Sequence, residues 1–129
     1  MIMKFLIFGA IGLVMEVFWT GLGSLIARDR RAMSKTSIWM FFIYGCAAFF
    51  APLINIIYPA FWLLRGLFYA FCIFLIEYSF GRALKAVDAC PWDYSEVRFN
   101  VHGVIRLDYA PVWMIVGLVM EFVHLNYFV

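Results

Sequence analysis

The sequence predicts an all-α transmembrane protein, a four-helix bundle whose helices cross a lipid bilayer. The 129 residues are 67% hydrophobic and 14% charged, whereas soluble domains are about 45–50% apolar and about 25% charged. The apolar residues fall into four runs, each close to the roughly 20 residues that a membrane-spanning helix needs. Because only short connections remain between the runs, we expect residues 1–129 to form a single integral membrane domain.

The predicted spans are placed from the apolar runs and from the prolines within or beside them. The first run is interpreted as an uncleaved span, because it is too long for a signal peptide and has no Ala-x-Ala cleavage pattern. Pro52 has no backbone donor for the carbonyl of Ala48, so a kink is expected there. Pro111 suits the first turn of the last helix. The four spans cover residues 3–26, 36–58, 61–84 and 110–128.

Basic residues predict how the chain is inserted. Four follow the first span, and four lie at the end of the third span or after it, whereas the opposite side has only Lys4 and Arg65. The second group is Arg82, Lys85, Arg98 and Arg106. Because Lys and Arg favour the cytoplasmic side, we expect the chain to lie in the cell (inner) membrane with loops 1 and 3 on the cytoplasmic side. Both termini are then expected on the outer side. The net charge of +2 and the scattered basic residues give no reason to expect a nucleic-acid partner.

The connection between the third and fourth spans has the alternating pattern of a short amphipathic β-hairpin, with a loop at residues 102–104. One register satisfies both of its faces. The alternative is an irregular interfacial loop held by Trp92 and Tyr94. The predicted register pairs Val101 with Ile105, Phe99 with Leu107, Val97 with Tyr109 and, on the other face, Arg98 with Asp108.

Three glutamates lie inside the predicted spans. A charged side chain at the bilayer centre costs about 2.5–3.5 kcal/mol on insertion scales, so Glu16, Glu77 and Glu121 need protonation, hydrogen bonds or a cationic partner. One interpretation is a site that binds a proton, a cation or a cationic solute. The other is structural, with the carboxyl groups bonded across helices to Tyr44, to Tyr78 or to backbone carbonyls.

A five-residue segment occurs twice in the chain. Gly12-Leu-Val-Met-Glu16 in the first span recurs letter for letter as Gly117-Leu-Val-Met-Glu121 in the fourth. Repeated half-units around a site in the middle of the membrane are typical of many transporters. The repeat therefore favours a transport-type function.

The Trp92-Asp93-Tyr94-Ser95 segment has two interpretations. In the structural one, Asp93 and Ser95 satisfy backbone donors in a tight turn, while Trp92 and Tyr94 anchor at the level of the headgroups. In the functional one, Asp93 points towards Glu77 and extends a path of acids from the cytoplasm. Asp93 is therefore an ion-binding candidate, with Trp92, Tyr94 and Ser95 as supporting residues.

The polar connection and its flanks carry a distinctive set of short segments. They are Cys90-Pro91-Trp92-Asp93-Tyr94-Ser95, Phe99, Gly103, Ile105, Leu107, Tyr109-Ala110, Trp113 and Met120-Glu121, with Trp39 and Phe42-Ile43-Tyr44-Gly45 in the second span. This set resembles the transmembrane protein 229 family and the bacterial small membrane proteins catalogued as type IV ABC transporter components, over roughly residues 36–126. The resemblance implies a four-span protein with a transport label, in which Glu77 matches an acid of the third span. Asn100, a further supporting residue, is similar to the bacterial version.

The leading functional hypothesis is a small transport-type protein that binds or moves a proton, a cation or a small solute at Glu77, Glu121 and Glu16. One alternative is a membrane-embedded enzyme that uses a Glu as acid or base on a lipid or isoprenoid. Another is a non-catalytic helper subunit of a membrane complex. Expected partners are membrane lipid, a second copy of the chain or another membrane subunit. The sequence contains no metal-binding or nucleotide motif and leaves any cofactor unknown.

Overall fold

Helices account for most of the protein in the computed structural model, which describes residues 1–128. Val129, the last residue of the predicted domain, lies outside the described residues. Within the described chain, four helical stretches are long and apolar enough to cross a membrane, and a small two-stranded sheet precedes the last of them. The predicted all-α transmembrane class is confirmed. These stretches are Ile2–Ile26, Ile38–Ile57, Trp62–Ala86 and Leu107–Tyr127.

The second stretch consists of two helices rather than one. Ser37 caps its beginning by accepting the backbone N–H of Trp39 at 3.3 Å, and the helix is divided at Cys46. The division comes two residues before Ala48. Pro52 cannot donate a hydrogen bond to the Ala48 carbonyl, because proline has no N–H. The helices are α1 (Ile2–Ile26), α2 (Ile38–Gly45), α3 (Ala47–Ile57), α4 (Trp62–Ala86) and α5 (Ala110–Tyr127).

The chain divides into two compact units, Met1–Ala48 and the part from Phe49 onward. In the first unit, α1 and α2 approach each other closely at glycines. A Cβ on Gly9 would lie 2.7 Å from the carbonyl oxygen of Phe41, and one on Gly45 would lie 2.8 Å from the ring of Phe5. Small residues allow such close approach between membrane helices.

The second unit pairs α4 with α5 and places a short hairpin against α4. Gly66 of α4 packs against Met114 of α5, where a Cβ would lie 3.0 Å from the methionine methyl group. Gly81, nearer the end of α4, packs against Val104 of the hairpin, where a Cβ would lie 2.7 Å from the valine Cβ. Glycines on one side of α4 therefore set the distance both to α5 and to the hairpin.

The hairpin has the predicted register but is shorter than predicted. Strand β1 (Asn100–Val101) pairs antiparallel with β2 (Ile105–Arg106), with Val101 opposite Ile105. Leu107 donates its backbone N–H to the carbonyl of Phe99 at 3.0 Å. The chain then enters a 3-10 helix, Leu107–Tyr109, so the predicted pairing of Val97 with Tyr109 is wrong. The predicted partner of Asp108 is also wrong, because Asp108 pairs with Arg106 at 2.7 Å instead of with Arg98.

The tip of the hairpin explains the position of its glycine. His102 and Gly103 both have positive φ, 53° and 69°, and Val104 donates its N–H to the carbonyl of Val101 at 3.1 Å. Two successive positive φ angles are the requirement of a type I′ turn. The exposed His102 ring places Nδ1 2.8 Å from the hydroxyl of Tyr78 on α4, which ties the tip of the hairpin to the helix.

Candidate functional site

Glu16 lies in the first unit, where a tyrosine of the neighbouring helix holds its carboxylate. Tyr44 on α2 donates its hydroxyl to Oε2 of Glu16 at 3.0 Å. Gly12, one turn earlier on α1, makes room for the tyrosine, because a Cβ there would collide with the Tyr44 side chain. Tyr44 is buried and Glu16 is half-buried. We name Gly12, Tyr44 and Glu16 the first Gly-Tyr-Glu cluster.

The loop after α1 is bonded to the turn of helix that carries Glu16. Thr20 donates its hydroxyl to the carbonyl of Glu16 at 2.9 Å and accepts the backbone N–H of Lys35 at 3.0 Å. Ser34 donates its hydroxyl to the carbonyl of Val17 at 2.8 Å. These bonds fix where the loop returns towards α2 and so help to set which residue of α2 reaches Glu16.

Glu121 lies in the second unit in a cluster of the same composition. Tyr69 on α4 donates its hydroxyl to Oε2 of Glu121. Gly117, one turn before Glu121 on α5, makes room for Tyr69, because a Cβ there would collide with the tyrosine side chain. We name Gly117, Tyr69 and Glu121 the second Gly-Tyr-Glu cluster. The repeated sequence segment therefore has a repeated local geometry, in which glycine seats a tyrosine that donates to a glutamate.

Arg65 adds a counter-ion to the second cluster. Its Nε lies 2.9 Å from Oε2 of Glu121 and its Nη2 lies 3.2 Å from Oε1, the bidentate geometry that makes Arg–carboxylate pairs strong. Its Nη1 donates to the carbonyls of Tyr58 and Ala60 at 3.1 and 2.7 Å. The Arg65 and Glu121 side chains are only 16% and 7% exposed. The charge of Glu121 is thus compensated inside the second unit.

Helix geometry explains why these groups meet. Arg65 and Tyr69 are four residues apart on α4, and Gly117 and Glu121 are four residues apart on α5, so each pair lies on one helix face. The sequence places Arg65 on the side opposite the basic loops and gives it no partner, so this ion pair is not predicted. The i, i+4 spacing of Arg65 and Tyr69 indicates only that both side chains lie on one face of α4.

Glu77 lies further along α4, towards the hairpin, and is only 3% exposed. On α4, Glu77 lies between Tyr69, eight residues earlier, and Gly81, which packs against the hairpin. Aromatic rings connect the beginning of α5 to the connection that carries the hairpin. The ring centroids of Trp113 and Tyr109 are 6.0 Å apart, and those of Tyr109 and Tyr94 are 6.2 Å apart.

Residues 90–106, which we name the cap, are held together by Trp92 and Tyr94, and Trp92 also packs against α4. The indole Nε1 of Trp92 donates to the carbonyl of Val104 at 2.8 Å, and the backbone N–H of Tyr94 donates to the carbonyl of Gly103 at 2.9 Å. A Cβ on Gly81 would lie 3.2 Å from the Trp92 ring. The predicted supporting residues Trp92 and Tyr94 therefore hold the hairpin in place.

Asp93 makes the contacts expected of a residue that satisfies backbone donors in a tight turn. Its Oδ1 accepts the backbone N–H of Ser95 at 3.0 Å and lies 3.4 Å from Nζ of Lys85. The hydrogen bonds from Ser95, followed by the nearby ammonium of Lys85, hold the pKa of the Asp93 carboxyl below its usual value. The side chain is 65% exposed. A role of Asp93 in ion binding remains a prediction.

Asn100 joins the two arms of the cap. Its Nδ2 donates to the carbonyls of Ser95 and Val97 at 3.3 and 2.6 Å, and its Oδ1 accepts the backbone N–H of Gly103 at 2.9 Å. Side-chain amides that replace backbone partners in this way stabilise tight turns. Asn100 is therefore a structural residue of the turn.

The polar groups that the two Gly-Tyr-Glu clusters and Arg65 present are carboxylates, tyrosine hydroxyls and a guanidinium. Cys46, Cys72 and Cys90 are free thiols. Among residues 1–128, no group of three or more His, Cys, Asp or Glu side chains is placed to hold a metal ion. The chemistry available in the clusters is hydrogen bonding, charge pairing and proton exchange at the carboxylates.

The four long apolar helices and the polar clusters within them define a multi-span helical membrane protein. No solved structure matches the chain. The family described as "Putative ABC-transporter type IV" matches residues 3–128, and the chain belongs to this family. The match extends beyond residues 36–126 and includes α1 with Glu16, the part of the chain for which the resemblance gave least support.

Proposed function

We propose that the protein is a transport-type membrane protein that binds or moves a proton, a cation or a small solute at carboxylates within its spans. The observation that carries the proposal is the Glu16–Tyr44 pair. It repeats the geometry of Glu121 with Tyr69, but within the described residues of the first unit no Lys or Arg forms an ion pair with Glu16. Ionisable side chains inside membrane spans are functional candidates by default.

The proposal gives the three span glutamates different roles. Glu16 is the binding carboxylate, and Tyr44 orients it. Glu77, buried on α4, is a second binding carboxylate, and Asp93 attracts cations to the cap. Glu121 is already paired, because Arg65 and Tyr69 occupy its oxygens.

The family membership supports the transport part of the proposal. Its description relates the family to ABC transporters, so the chain is proposed to work within or beside a transport complex. We also propose kinship with the transmembrane protein 229 family, on the strength of the Trp92-Asp93-Tyr94-Ser95 segment and Glu77. Assembly with a second copy or with another membrane subunit fits chains of this size.

The proposed location is the cell (inner) membrane, with the chain as one integral membrane domain. Loops 1 and 3 lie in the cytoplasm and both termini lie outside in this proposal. The support is the distribution of basic residues, since Arg28, Arg30, Arg31 and Lys35 follow α1 and further Lys and Arg residues surround the cap.

A helper subunit without transport activity of its own is the second candidate function. The Arg65–Glu121 ion pair favours it, because a carboxylate whose charge is met inside its own unit stabilises helix packing without any ligand. The two candidates differ in what they require of Glu16. Transport needs Glu16 to exchange a proton or ligand, whereas a helper subunit needs it only to accept the Tyr44 hydroxyl.

Current recording on proteoliposomes adsorbed to a solid-supported membrane tests the proposal. The perfused solutions apply a step in proton concentration or a step in the concentration of Na⁺, K⁺, ammonium or methylguanidinium. We expect at least one of them to give a current that Glu16→Gln abolishes, that Glu77→Gln reduces, and that Glu96→Gln, a change at an exposed acid of the cap, preserves. A silent wild-type protein, or a Glu16→Gln current equal to that of the wild type, would favour the helper subunit.

A further inference from the structure

The second Gly-Tyr-Glu cluster shows which chemical group this arrangement accepts. Tyr69 donates its hydroxyl to Oε2 of Glu121. The Arg65 guanidinium donates two N–H groups, one to each carboxylate oxygen, at 2.9 and 3.2 Å. The guanidinium supplies the charge that the carboxylate needs. It also supplies a planar pair of donors that matches the spacing of the two oxygens.

The first cluster presents the same acceptor without that group. Tyr44 donates to Oε2 of Glu16, and within the described part of the first unit no donor reaches Oε1. The helix segments that carry the two glutamates are identical from Gly12 to Glu16 and from Gly117 to Glu121. Glu16 is half-buried, so a cation that reaches it is partly shielded from water.

The few protein ligands of the first cluster favour an organic cation over Ca²⁺. Ca²⁺ takes about six to eight oxygen ligands, whereas the first cluster offers one carboxylate and one hydroxyl. A guanidinium or primary ammonium needs fewer acceptors and brings its own N–H donors. Trp19, one turn after Glu16 on α1 and 45% exposed, adds an aromatic side chain of the type that attracts such cations.

We infer that the first Gly-Tyr-Glu cluster binds a small organic cation bearing a guanidinium or a primary ammonium group. In this site the cation occupies the position relative to Glu16 that the Arg65 side chain occupies relative to Glu121. The inference rests on the proposed function in that it names the ligand of the Glu16 carboxylate. Tyr44 is a positioning residue, because its hydroxyl fixes the orientation of the carboxylate and leaves Oε1 for the ligand.

Binding stoichiometry of radiolabelled methylguanidinium tests the inference, with the full chain in lipid nanodiscs. We expect the wild type to bind one equivalent and Glu16→Gln to bind none. Arg65→Ala vacates the guanidinium position in the second cluster, so this variant should bind two equivalents, and the double variant Glu16→Gln/Arg65→Ala should bind one. Glu96→Gln, which also removes one carboxylate, should bind like the wild type. Tetramethylammonium, which has no N–H donor, should compete at least tenfold more weakly than methylguanidinium.

Two results would overturn the inference. One is wild-type binding that persists in Glu16→Gln. The other is a wild type that binds no methylguanidinium, whether or not Arg65→Ala gains a site. If Arg65→Ala does not fold, the wild type, Glu16→Gln and Tyr44→Phe still decide, since Tyr44→Phe should weaken binding several-fold while the chain keeps Glu16.

The outcome is separable from that of the proposed transport function. Binding that depends on Glu16 in a protein that gives no current supports the site and contradicts transport. Currents carried by protons or Na⁺ in a protein that binds no methylguanidinium support transport and contradict the assignment of the ligand.

Discussion

Each Gly-Tyr-Glu cluster combines a glycine, a tyrosine and a glutamate from two neighbouring helices, but only in the second cluster does a cationic side chain of the same unit pair with the glutamate. In both, a glycine makes room for a tyrosine of the neighbouring helix, and the tyrosine donates its hydroxyl to the glutamate that lies one turn after the glycine. Glu121 also has the Arg65 guanidinium and is buried, whereas Glu16 is half-buried and has no ion pair within its unit. The difference teaches that an acid in a span is not by itself a sign of function. The partner that its own unit supplies distinguishes the structural interpretation of Glu121 from the binding role proposed for Glu16.

The largest expected effect comes from removing the cation of the second cluster. Arg65→Ala leaves a buried carboxylate without its counter-ion, which typically costs about 3–5 kcal/mol. Replacing both partners, as Arg65→Met/Glu121→Met, removes the charge altogether and should cost far less. Unfolding in mixed micelles with increasing SDS measures both variants. A double variant as unstable as Arg65→Ala would show that the ion pair contributes more than compensation of charge.

The next effect tests whether both clusters need their glycine. Gly12→Ala and Gly117→Ala each force a methyl group into a tyrosine side chain, and we expect a loss of about 1–3 kcal/mol in each case. Gly23, on the same helix as Gly12, has nothing within 4 Å of its Cβ position. Gly23→Ala should therefore stabilise by about 0.5–1 kcal/mol. The SDS midpoints of the three variants give the comparison. A stable Gly12→Ala would mean that Tyr44 can reach Glu16 without the space that Gly12 leaves.

A smaller effect is expected at the tip of the hairpin, which neither cluster contains. Gly103 has a φ of 69°, so Gly103→Ala should cost about 1–2 kcal/mol. Gly103→Asn should cost less, because asparagine enters the left-handed region more readily. Hydrogen exchange at the backbone N–H of Tyr94, which donates to the Gly103 carbonyl, reports the local loss. Equal exchange in the two variants would show that the turn does not depend on φ.

The smallest effect concerns Asp93, whose charge is exposed and unlike that of the span glutamates. Its pKa is lowered in the folded protein, so its contribution to stability is present above the unfolded pKa of about 3.9 and is lost as the pH falls through the folded pKa. The difference in unfolding midpoint between the wild type and Asp93→Asn should therefore be present at pH 7 and shrink in acid. A difference that does not change with pH would separate Asp93 from the stability of the cap.

Much of the fold follows from local patterns in the sequence. The four apolar runs predict the long helices, and the alternation from Phe99 to Leu107 predicts the hairpin register. Its length is not predicted, because the 3-10 helix at Leu107–Tyr109 ends the ladder. The division of the second span at Cys46 lies close to the kink predicted from Pro52, but its position depends on how the backbone around the proline relaxes.

The candidate site is less accessible to sequence reasoning, because its partners come from different helices. The bond between Glu16 and Tyr44 is among the structural alternatives that the sequence suggests, and the turn at Asp93 and Ser95 follows from the preferences of those residues. The pairing of Arg65 with Glu121 spans 56 residues. It depends on the register of α4 against α5, which no local pattern specifies.

The measurement that tests the comparison most directly is the stability of each unit in Glu16→Gln and Glu121→Gln, by hydrogen exchange of the two variants in nanodiscs. Glutamine accepts the tyrosine hydroxyl but carries no charge. Glu121→Gln should therefore destabilise the second unit by about 3 kcal/mol, because it leaves Arg65 buried without a counter-ion. Glu16→Gln should change the first unit by less than about 1 kcal/mol. Equal losses in the two units would contradict the account, because Glu16 would then have a charge partner as important to it as Arg65 is to Glu121.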